Sequence, residues 1–328
     1  MNQRRLLVLA LGTSLASHTA LLRAQTAIAG LRRIGVLAPS TAAREAVTLK
    51  PFFDQMQALG WVEGKTVVYD RGFANDQQTE IHRLAVEMVA RGPDLIFAPP
   101  QPAAVAAKLA TAKIPIVFAT GTDPVGVGLI QSLARPGGNA TGVISVIDSL
   151  APKMVELLRE VLPRFQRLGL ISDTTDPRLK LDRAALAAVS QRLGFTVFVG
   201  EATNPDSLDA AIRQLVHQRV EAILTNSSLV FNLRDRLIEL TRRDGVPVVG
   251  HRSEIADAGA LMSYGAVLSD QLRRSARVAD KILRGARPGD IPVEQPTMFE
   301  FVLNAKTARA FGIKIPPIAL LRADRIIE

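Results

Sequence analysis

Short apolar runs alternate with helical patterns along nearly the whole chain, and this alternation limits the possible folds more than any other feature. The runs are rich in Val, Ile, Leu and Phe and mostly lack polar alternation, which is typical of parallel strands buried on both faces. Strands followed by helices predict an α/β fold built from doubly wound parallel sheets with right-handed crossovers. The predicted strands are 33–38, 66–73, 94–98, 114–119, 142–146, 168–172, 196–199, 222–225, 246–250 and 260–263. The predicted helices include 43–59, 78–90 and 229–244, and the tail is predicted to hold a strand at 299–303 and a short helix at 305–311.

The rhythm of strands and helices occurs twice, and 328 residues are enough for two domains. A Gly- and Pro-rich stretch at 136–142 and the turn signals around Pro152 indicate a boundary near residues 148–152. We therefore predict two lobes joined by a hinge, with a cleft between them. The predicted bounds are 32–148 and 268–296 for lobe 1, and 149–267 and 297–328 for lobe 2.

The N-terminal residues have the pattern of an export signal. Arg4 and Arg5 precede an apolar stretch at 6–16, and Ala24 is a small residue suited to cleavage before Gln25. The apolar stretch is shorter than the roughly 20 residues that a membrane span needs, although an uncleaved anchor is the alternative. We predict a signal peptide at 1–24 and a mature protein in the periplasm.

The composition excludes several chemistries. Cysteine is absent, so disulfides, thiolate metal sites and a cysteine nucleophile are excluded. The four histidines lie far apart, and the glycines of 126–128 lack the third glycine of a dinucleotide-binding loop. Lys and Arg exceed Asp and Glu by 40 to 31 but are scattered, which does not favour nucleic-acid binding. We predict no catalytic residues, no metal site and no cofactor.

Polar residues follow most of the predicted strands. In open α/β sheets, ligands bind beyond the carboxyl ends of the strands, so these residues are the candidate ligand contacts. The same residue types are also the usual N-caps of helices, which is the alternative interpretation. The candidates are Ser40, Thr41, Gln101, Thr120, Gly121, Asp123 and Ser145 in lobe 1, and Ser172, Asp173, Thr174, Asn226, Ser227, Arg252, Glu254 and Tyr264 in lobe 2.

These residue types suit a small polar solute. Helix N-termini favour an anion, which indicates a solute carboxylate. A zwitterion would also need an acid for its ammonium, and the candidate acids are Asp123, Asp173 and Glu254. Arg252 is the candidate cation, and Tyr264, expected in a loop after a strand, is the candidate stacking aromatic. The predicted ligand is an amino acid or a related carboxylate.

Several motifs together resemble the substrate-binding family of ABC transporters, which has the type I periplasmic-binding fold. The resemblance covers about residues 32–328 and implies a two-lobed, non-catalytic receptor, expected to be a monomer, that docks transiently on an inner-membrane permease. Some members of the family bind tryptophan or tyrosine. The motifs are LGWVEGK at 59–65, IPIVFA at 114–119, DPVG at 123–126, LARPGGNATG at 133–142, LMSYG at 261–265, DKILRGA at 280–286, PVEQPT at 292–297 and ADRIIE at 323–328.

The chain departs from that family in two loops. PPQPAA at 99–104 replaces a frequent Gly-Gly-Thr-Pro-Ala-Ala, and its prolines remove backbone donors, so the family's hydroxyl contact is not carried over to this loop and Gln101 is the candidate replacement. SDTTDP at 172–177 stands where the family often has Asn-Pro. Two other functions stay open: a sensor module for a membrane receptor, and a hydrolase that uses His251.

Overall fold

The computed structural model describes residues 30–75, 77–121, 123–145, 149–174 and 178–328. The predicted signal peptide at 1–24 and Val146, the last residue of a predicted strand, lie outside the described residues. None of the helices in the described ranges combines the length and the apolar character needed to cross a bilayer.

The chain divides into two compact units. The chain passes from one unit to the other within two strands, between Phe118 and Ala119 and between Gly142 and Val143. This division does not test the lobe bounds predicted from the sequence, which remain a prediction. Unit 1 comprises the described residues of Met1–Phe118, Val127–Gly142 and Arg273–Val293, and unit 2 comprises those of Ala119–Gly126, Val143–Leu272 and Glu294–Glu328.

The first sheet has five strands in the order β2-β1-β3-β4-β5. β1 pairs in parallel with β2 and β3, and β3 pairs in parallel with β4. The strands are β1 (Arg32–Ala38), β2 (Val67–Phe73), β3 (Leu95–Ala98), β4 (Ile116–Thr120) and β5 (Ala140–Ile144). The helices between them are α1 (Ala42–Thr48), α2 (Lys50–Ala58), α3 (Gln78–Ala90) and α4 (Gln101–Ala110).

The second sheet has seven strands in the order β12-β11-β10-β9-β8-β6-β7. Its strands are β6 (Arg167–Ser172), β7 (Thr196–Glu201), β8 (Ala222–Thr225), β9 (Val248–Gly250), β10 (Met262–Ala266), β11 (Phe299–Asn304) and β12 (Arg325–Ile327). Its helices are α5 (Ala151–Val161), α6 (Arg178–Leu193), α7 (Pro205–His217), α8 (Ser228–Asn232), α9 (Arg234–Arg243), α10 (Ser253–Asp257), α12 (Ala305–Ala310) and α13 (Pro317–Arg322). The helix α11 (Leu268–Leu283) begins in unit 2 and belongs to unit 1 from Arg273 onward.

One strand pair of the second sheet is antiparallel. β11 runs against β10, whereas the other paired strands of this sheet are parallel. The chain leaves unit 2 after Leu272 and returns at Glu294, so no crossover helix on this sheet connects β10 to β11. The right-handed crossover rule for parallel strands therefore does not apply to this connection.

Both faces of the second sheet are covered. One face packs against α5 and α6 and buries Leu170, Leu224 and Val249. The opposite face packs against α7 and α9 and buries Ile171, Ile223 and Val248. Burial on both faces explains why the strands appear in the sequence as continuous apolar runs. The predicted fold class, with parallel α/β sheets in two parts, is confirmed.

The structure differs from the sequence prediction at three places. The single helix expected at 43–59 is two helices, with Pro51 in the first turn of the second. The helix expected at 229–244 is likewise interrupted, at Leu233. Tyr264 lies inside β10, not in a loop, because β10 continues past the end of β9 and pairs with β11 as far as Ala266.

Candidate functional site

Four polar side chains form a row at the carboxyl edge of the second sheet. The strand register pairs Ile171 with Thr225, Thr225 with Gly250, and Gly250 with Ser263. The next residue of each strand therefore lies beside its neighbours at the same edge. We call these residues the polar row: Ser172, Asn226, His251 and Tyr264.

The polar row lies on the face that α5 and α6 cover. Side chains two residues apart point to the same face of a strand. The residues two positions earlier are Leu170, Leu224, Val249 and Met262, and all four belong to the core against α5 and α6. The polar row therefore continues an apolar layer, and at this edge the core becomes polar.

The polar row is largely buried and connects to an acid. Ser172 and Asn226 are each 2% exposed, and His251 is 7% exposed. Asn226 Nδ2 lies 3.4 Å and 3.5 Å from the two carboxylate oxygens of Asp182 on α6. Ser149 Oγ donates to Asp182 Oδ1 at 2.6 Å. Since Asp182 lies within a helix, no pattern of residues following strands would have identified it.

A cleft within unit 2 adjoins the polar row. It has about 310 Å³ of empty space, which includes space open to solvent. Gln271 Nε2 donates to the carbonyl oxygens of Thr120 at 3.0 Å and Val143 at 3.2 Å, and so holds one wall in place. The cleft is lined by Ser145, Leu150, His251, Arg252, Ala266, Leu268 and Gln271.

An aromatic ring that the sequence analysis missed lies beside the cleft. The guanidinium carbon of Arg252 lies 4.7 Å from the ring centroid of Phe231, and that of Arg234 lies 4.9 Å from it. The His251 ring is 6.0 Å from the same centroid. Stacking on an aromatic face limits the positions that the Arg252 guanidinium can take. Phe231 belongs to a five-residue helix, too short to show a period in the sequence.

Several predicted contacts cap helices or turns, as the alternative interpretation expected. Thr41 Oγ1 accepts from Arg44 N at the start of α1, and Ser227 Oγ accepts from Val230 N at the start of α8. Asp123 Oδ1 accepts from Val125 N at 2.9 Å. Ser40 Oγ accepts from Arg44 Nη1 at 3.1 Å. Thr41, Ser227 and Asp123 therefore have capping roles of their own, whereas Ser40 accepts from a side chain and caps nothing.

Tyr264 packs within the unit. Its ring stacks on Phe299, with centroids 5.8 Å apart and planes 15° apart, and it packs against the core. Burial, and then the Asp324 carboxylate, raise the pKa of Tyr264 above its ordinary value. The expected loop position of Tyr264 is therefore wrong, and its contact with a ligand stays a prediction.

The remaining predicted contacts lie at strand or helix ends. Gln101 begins α4 in unit 1, after a cis Pro99–Pro100 peptide bond, and Gly121 follows β4. In unit 2, Asp173 and Thr174 follow β6, and Glu254 lies in the first turn of α10. Unit 2 thus brings Ser145 and Arg252 to one cleft, whereas Ser40, Thr41 and Gln101 belong to unit 1.

Doubly wound α/β units with polar residues at the carboxyl ends of their strands define a class of small-molecule binding protein. Within that class, residues 34–327 match the model of the ABC transporter substrate binding protein family. The chain belongs to this family, and the resemblance seen in the sequence is confirmed. It is a substrate-binding protein of an ABC transporter.

Three known proteins are similar to this chain. A tyrosine-binding protein of Clostridioides difficile strain R20291 is 25% identical over 265 residues, which cover 81% of this chain and 76% of the relative. A conserved domain protein of Vibrio cholerae is 25% identical with a TM-score of 0.83, covering 90% of this chain and 99% of the relative. A Streptococcus pneumonia ABC domain solved in complex with L-Trp is 24% identical with a TM-score of 0.83, and the match covers 90% of this chain and 100% of that domain. The last comparison shows a shared fold.

Proposed function

We propose that this protein is the solute receptor of an ABC importer and that it binds an amino acid or a related carboxylate, which it releases unchanged. The single observation that carries the solute class is the cleft of unit 2, where Arg252 lies beside the buried polar row. The family membership supports the transport role. The name of the Clostridioides difficile relative, a tyrosine-binding protein, supports an amino-acid solute.

Arg252 is the proposed partner of the solute carboxylate. A guanidinium presents parallel N–H groups that match the two oxygens of a carboxylate, and it stays charged at any physiological pH. Arg252 lines the cleft and stacks on Phe231, so its charge is held at the cleft wall. Ser145 on the same wall adds a hydroxyl that can donate to the solute or accept from it.

A thermal-shift and calorimetry panel tests this proposal. The panel contains the twenty standard L-amino acids, their amine-free carboxylate analogues, and myo-inositol as an uncharged control. At a free solute concentration 100 times Kd, binding stabilises the folded protein by about 2.7 kcal/mol, which raises Tm by roughly 5 °C or more. Mass spectrometry of the solute recovered from the complex is expected to show the mass that was added.

The variant Arg252→Ala separates the proposed contact from a general loss of charge. We expect the carboxylate solute to bind about tenfold more weakly or worse to Arg252→Ala. Arg243→Ala is the matched control, because Arg243 is exposed and lies outside the cleft lining. A panel without any shift would overturn the proposed function, and equal affinities of Arg252→Ala and the parent protein would overturn the role of Arg252.

A further inference from the structure

The cleft of unit 2 has an apolar side that the proposed function has not used. Three of the residues that line the cleft are apolar and partly exposed: Leu150, Ala266 and Leu268. None of them was a predicted contact, because the sequence analysis chose residues mainly for their polar groups. Apolar surface that stays in contact with water inside a concave site can bury an apolar part of a ligand.

The strand β10 brings Ala266 to the cleft. Side chains two residues apart point to the same face of a strand, so Ala266 follows Met262 and Tyr264 on the face that α5 and α6 cover. The two earlier side chains are large and pack in or against the core, whereas Ala266 carries a single methyl group. The short side chain of Ala266 therefore leaves room at the end of β10, where the cleft lies.

The other two apolar residues are held in place by the elements around them. Leu150 packs against the core that α5 and α6 cover. Leu268 and Gln271 lie three residues apart in the first turn of α11, on one side of that helix. Gln271 Nε2 donates to the carbonyl oxygen of Thr120 at 3.0 Å, which fixes this turn and with it the position of Leu268. The apolar side of the cleft is therefore formed before any solute arrives.

The apolar side lies next to the proposed carboxylate partner. β9 and β10 are neighbouring parallel strands, and the Gly265 backbone lies so close to the His251 carbonyl oxygen that a Cβ atom at Gly265 would overlap it. Arg252 follows His251 in the chain, and Ala266 follows Gly265. The group bonded to a carboxylate at Arg252 therefore lies beside the apolar side of the cleft.

We propose that Leu150, Ala266 and Leu268 receive an aliphatic side chain of the solute, and that Ala266 sets how long that side chain can be. This inference rests on the proposed function, and it deepens that function by restricting the solute to carboxylates that carry a hydrocarbon group. Burying one CH₂ group contributes about 0.8 kcal/mol, which corresponds to about fourfold in affinity. A hydroxyl buried against the same three side chains would lose its hydrogen bonds to water without compensation from them.

A homologous series tests the proposal on the unaltered protein. Calorimetry measures the affinities of glycine, L-alanine, L-2-aminobutyrate, L-norvaline and L-norleucine, and of the same carboxylates without the α-amine. We expect the affinity in at least one of the two series to rise about fourfold with each added CH₂ group up to a maximum. L-Homoserine has a hydroxyl in place of the terminal methyl group of L-norvaline, and 4-hydroxybutanoate differs from pentanoate in the same way. The methyl compound should bind at least about tenfold more tightly than its hydroxyl counterpart.

The variant Ala266→Val then identifies the residue that limits the side chain. Valine suits a strand, so β10 should keep its conformation while two additional carbons occupy the cleft. We expect the optimal side chain to become shorter, and the affinity for the solute that the parent protein binds best to fall about tenfold. Leu268→Ala removes atoms from the wall and should move the optimum to a longer side chain. Ala310→Val is the matched control, because Ala310 is exposed at the end of α12 and outside the cleft lining, and it should leave the whole series unchanged.

The failures of the two proposals are distinguishable. Equal affinities for the methyl and hydroxyl compounds, or binding of other carboxylates but of none in this series, would overturn the apolar site and leave the solute receptor intact. An unchanged optimum in folded Ala266→Val would overturn the role of Ala266. If that variant does not fold, an unchanged optimum in Leu268→Ala would overturn the apolar site. Binding of no solute in the panel would overturn the proposed function and this inference together.

Discussion

Gly142 and Asn139 show that one of the longest family-like motifs, residues 133–142, has a structural task. A Cβ atom at Gly142 would lie 2.1 Å from the carbonyl oxygen of Phe118. The backbone of the neighbouring strand β4 therefore leaves room only for glycine at this position. Asn139 Nδ2 donates to the carbonyl oxygens of Thr111 at 3.0 Å and Ile114 at 2.8 Å. Lys108 Nζ donates to Asn139 Oδ1 at 2.7 Å. The motif thus fixes the first residues of β5 within unit 1, and it does not by itself indicate a ligand.

Two of the three glycines of this motif, Gly142 and Gly138, should respond differently to alanine. Gly142→Ala forces a methyl group against backbone, and we expect the free energy of unfolding to fall by about 2 kcal/mol or more. Gly138→Ala is the matched control, because its Cβ atom would meet only the flexible end of Lys108, at 3.1 Å. Urea unfolding followed by circular dichroism measures both variants. Equal stability of the two would contradict the steric argument.

At the scale of elements, the end of α11 is attached to the end of α2 within unit 1. Asp280 Oδ1 accepts from Trp61 Nε1 at 2.8 Å and from Arg284 Nε at 2.7 Å. Arg284 also donates to the Leu59 carbonyl oxygen at 3.2 Å, and its guanidinium lies 5.8 Å from the Trp61 ring centroid. Two motifs more than 200 residues apart, 59–65 and 280–286, therefore form one contact. No local pattern predicts such a pairing.

Trp61→Phe should destabilise unit 1. The change keeps an aromatic ring but removes the donor to Asp280, and we expect the free energy of unfolding to fall by about 1.5–3 kcal/mol, the usual range for a hydrogen bond to a charged group. A double-mutant cycle with Asp280→Ala should show a coupling energy of about 1 kcal/mol between the two residues. Lys281→Ala, an exposed neighbour on the same helix, serves as the control. Additive effects of the two changes would refute the contact.

The elements themselves were predictable to the extent that they are long and periodic. The predicted helix at 78–90 and the strand at 222–225 have the observed bounds, because burial imposes a regular apolar pattern on both. The tail was predicted incompletely: α13 has six residues and β12 has three, too few to establish a period. Helix breaks at Leu49 and Leu233 were missed because the apolar pattern continues through them.

At the scale of the whole molecule, export and transport stay predictions that one experiment tests. We expect a deletion strain to lose uptake of the solute identified by the panel. The full chain should restore uptake, and a chain that begins at Gln25 should not, because it lacks the predicted export signal. Intact-mass analysis of the exported protein should show a start at Gln25. Uptake that persists in the deletion strain would favour the sensor alternative instead.

The sequence by itself determined the fold class and the family of this protein. Strands buried on both faces require continuous apolar runs, and the family motifs are contiguous in the chain, so both are visible without coordinates. It also placed Asn226 and Arg252 at the ends of strands, where ligands bind in such folds.

Tertiary structure alone decided which of these residues meet. The neighbours of a residue at a sheet edge depend on strand order and register, and these placed His251 between Asn226 and Tyr264. Packing of α6 on that face brought Asp182 to the Asn226 amide, and β11 pairs antiparallel with β10 after the chain returns to unit 2 at Glu294. Contacts between segments that are far apart in the chain arise from packing. Such contacts leave no periodic pattern in the sequence, so the sequence alone does not reveal them.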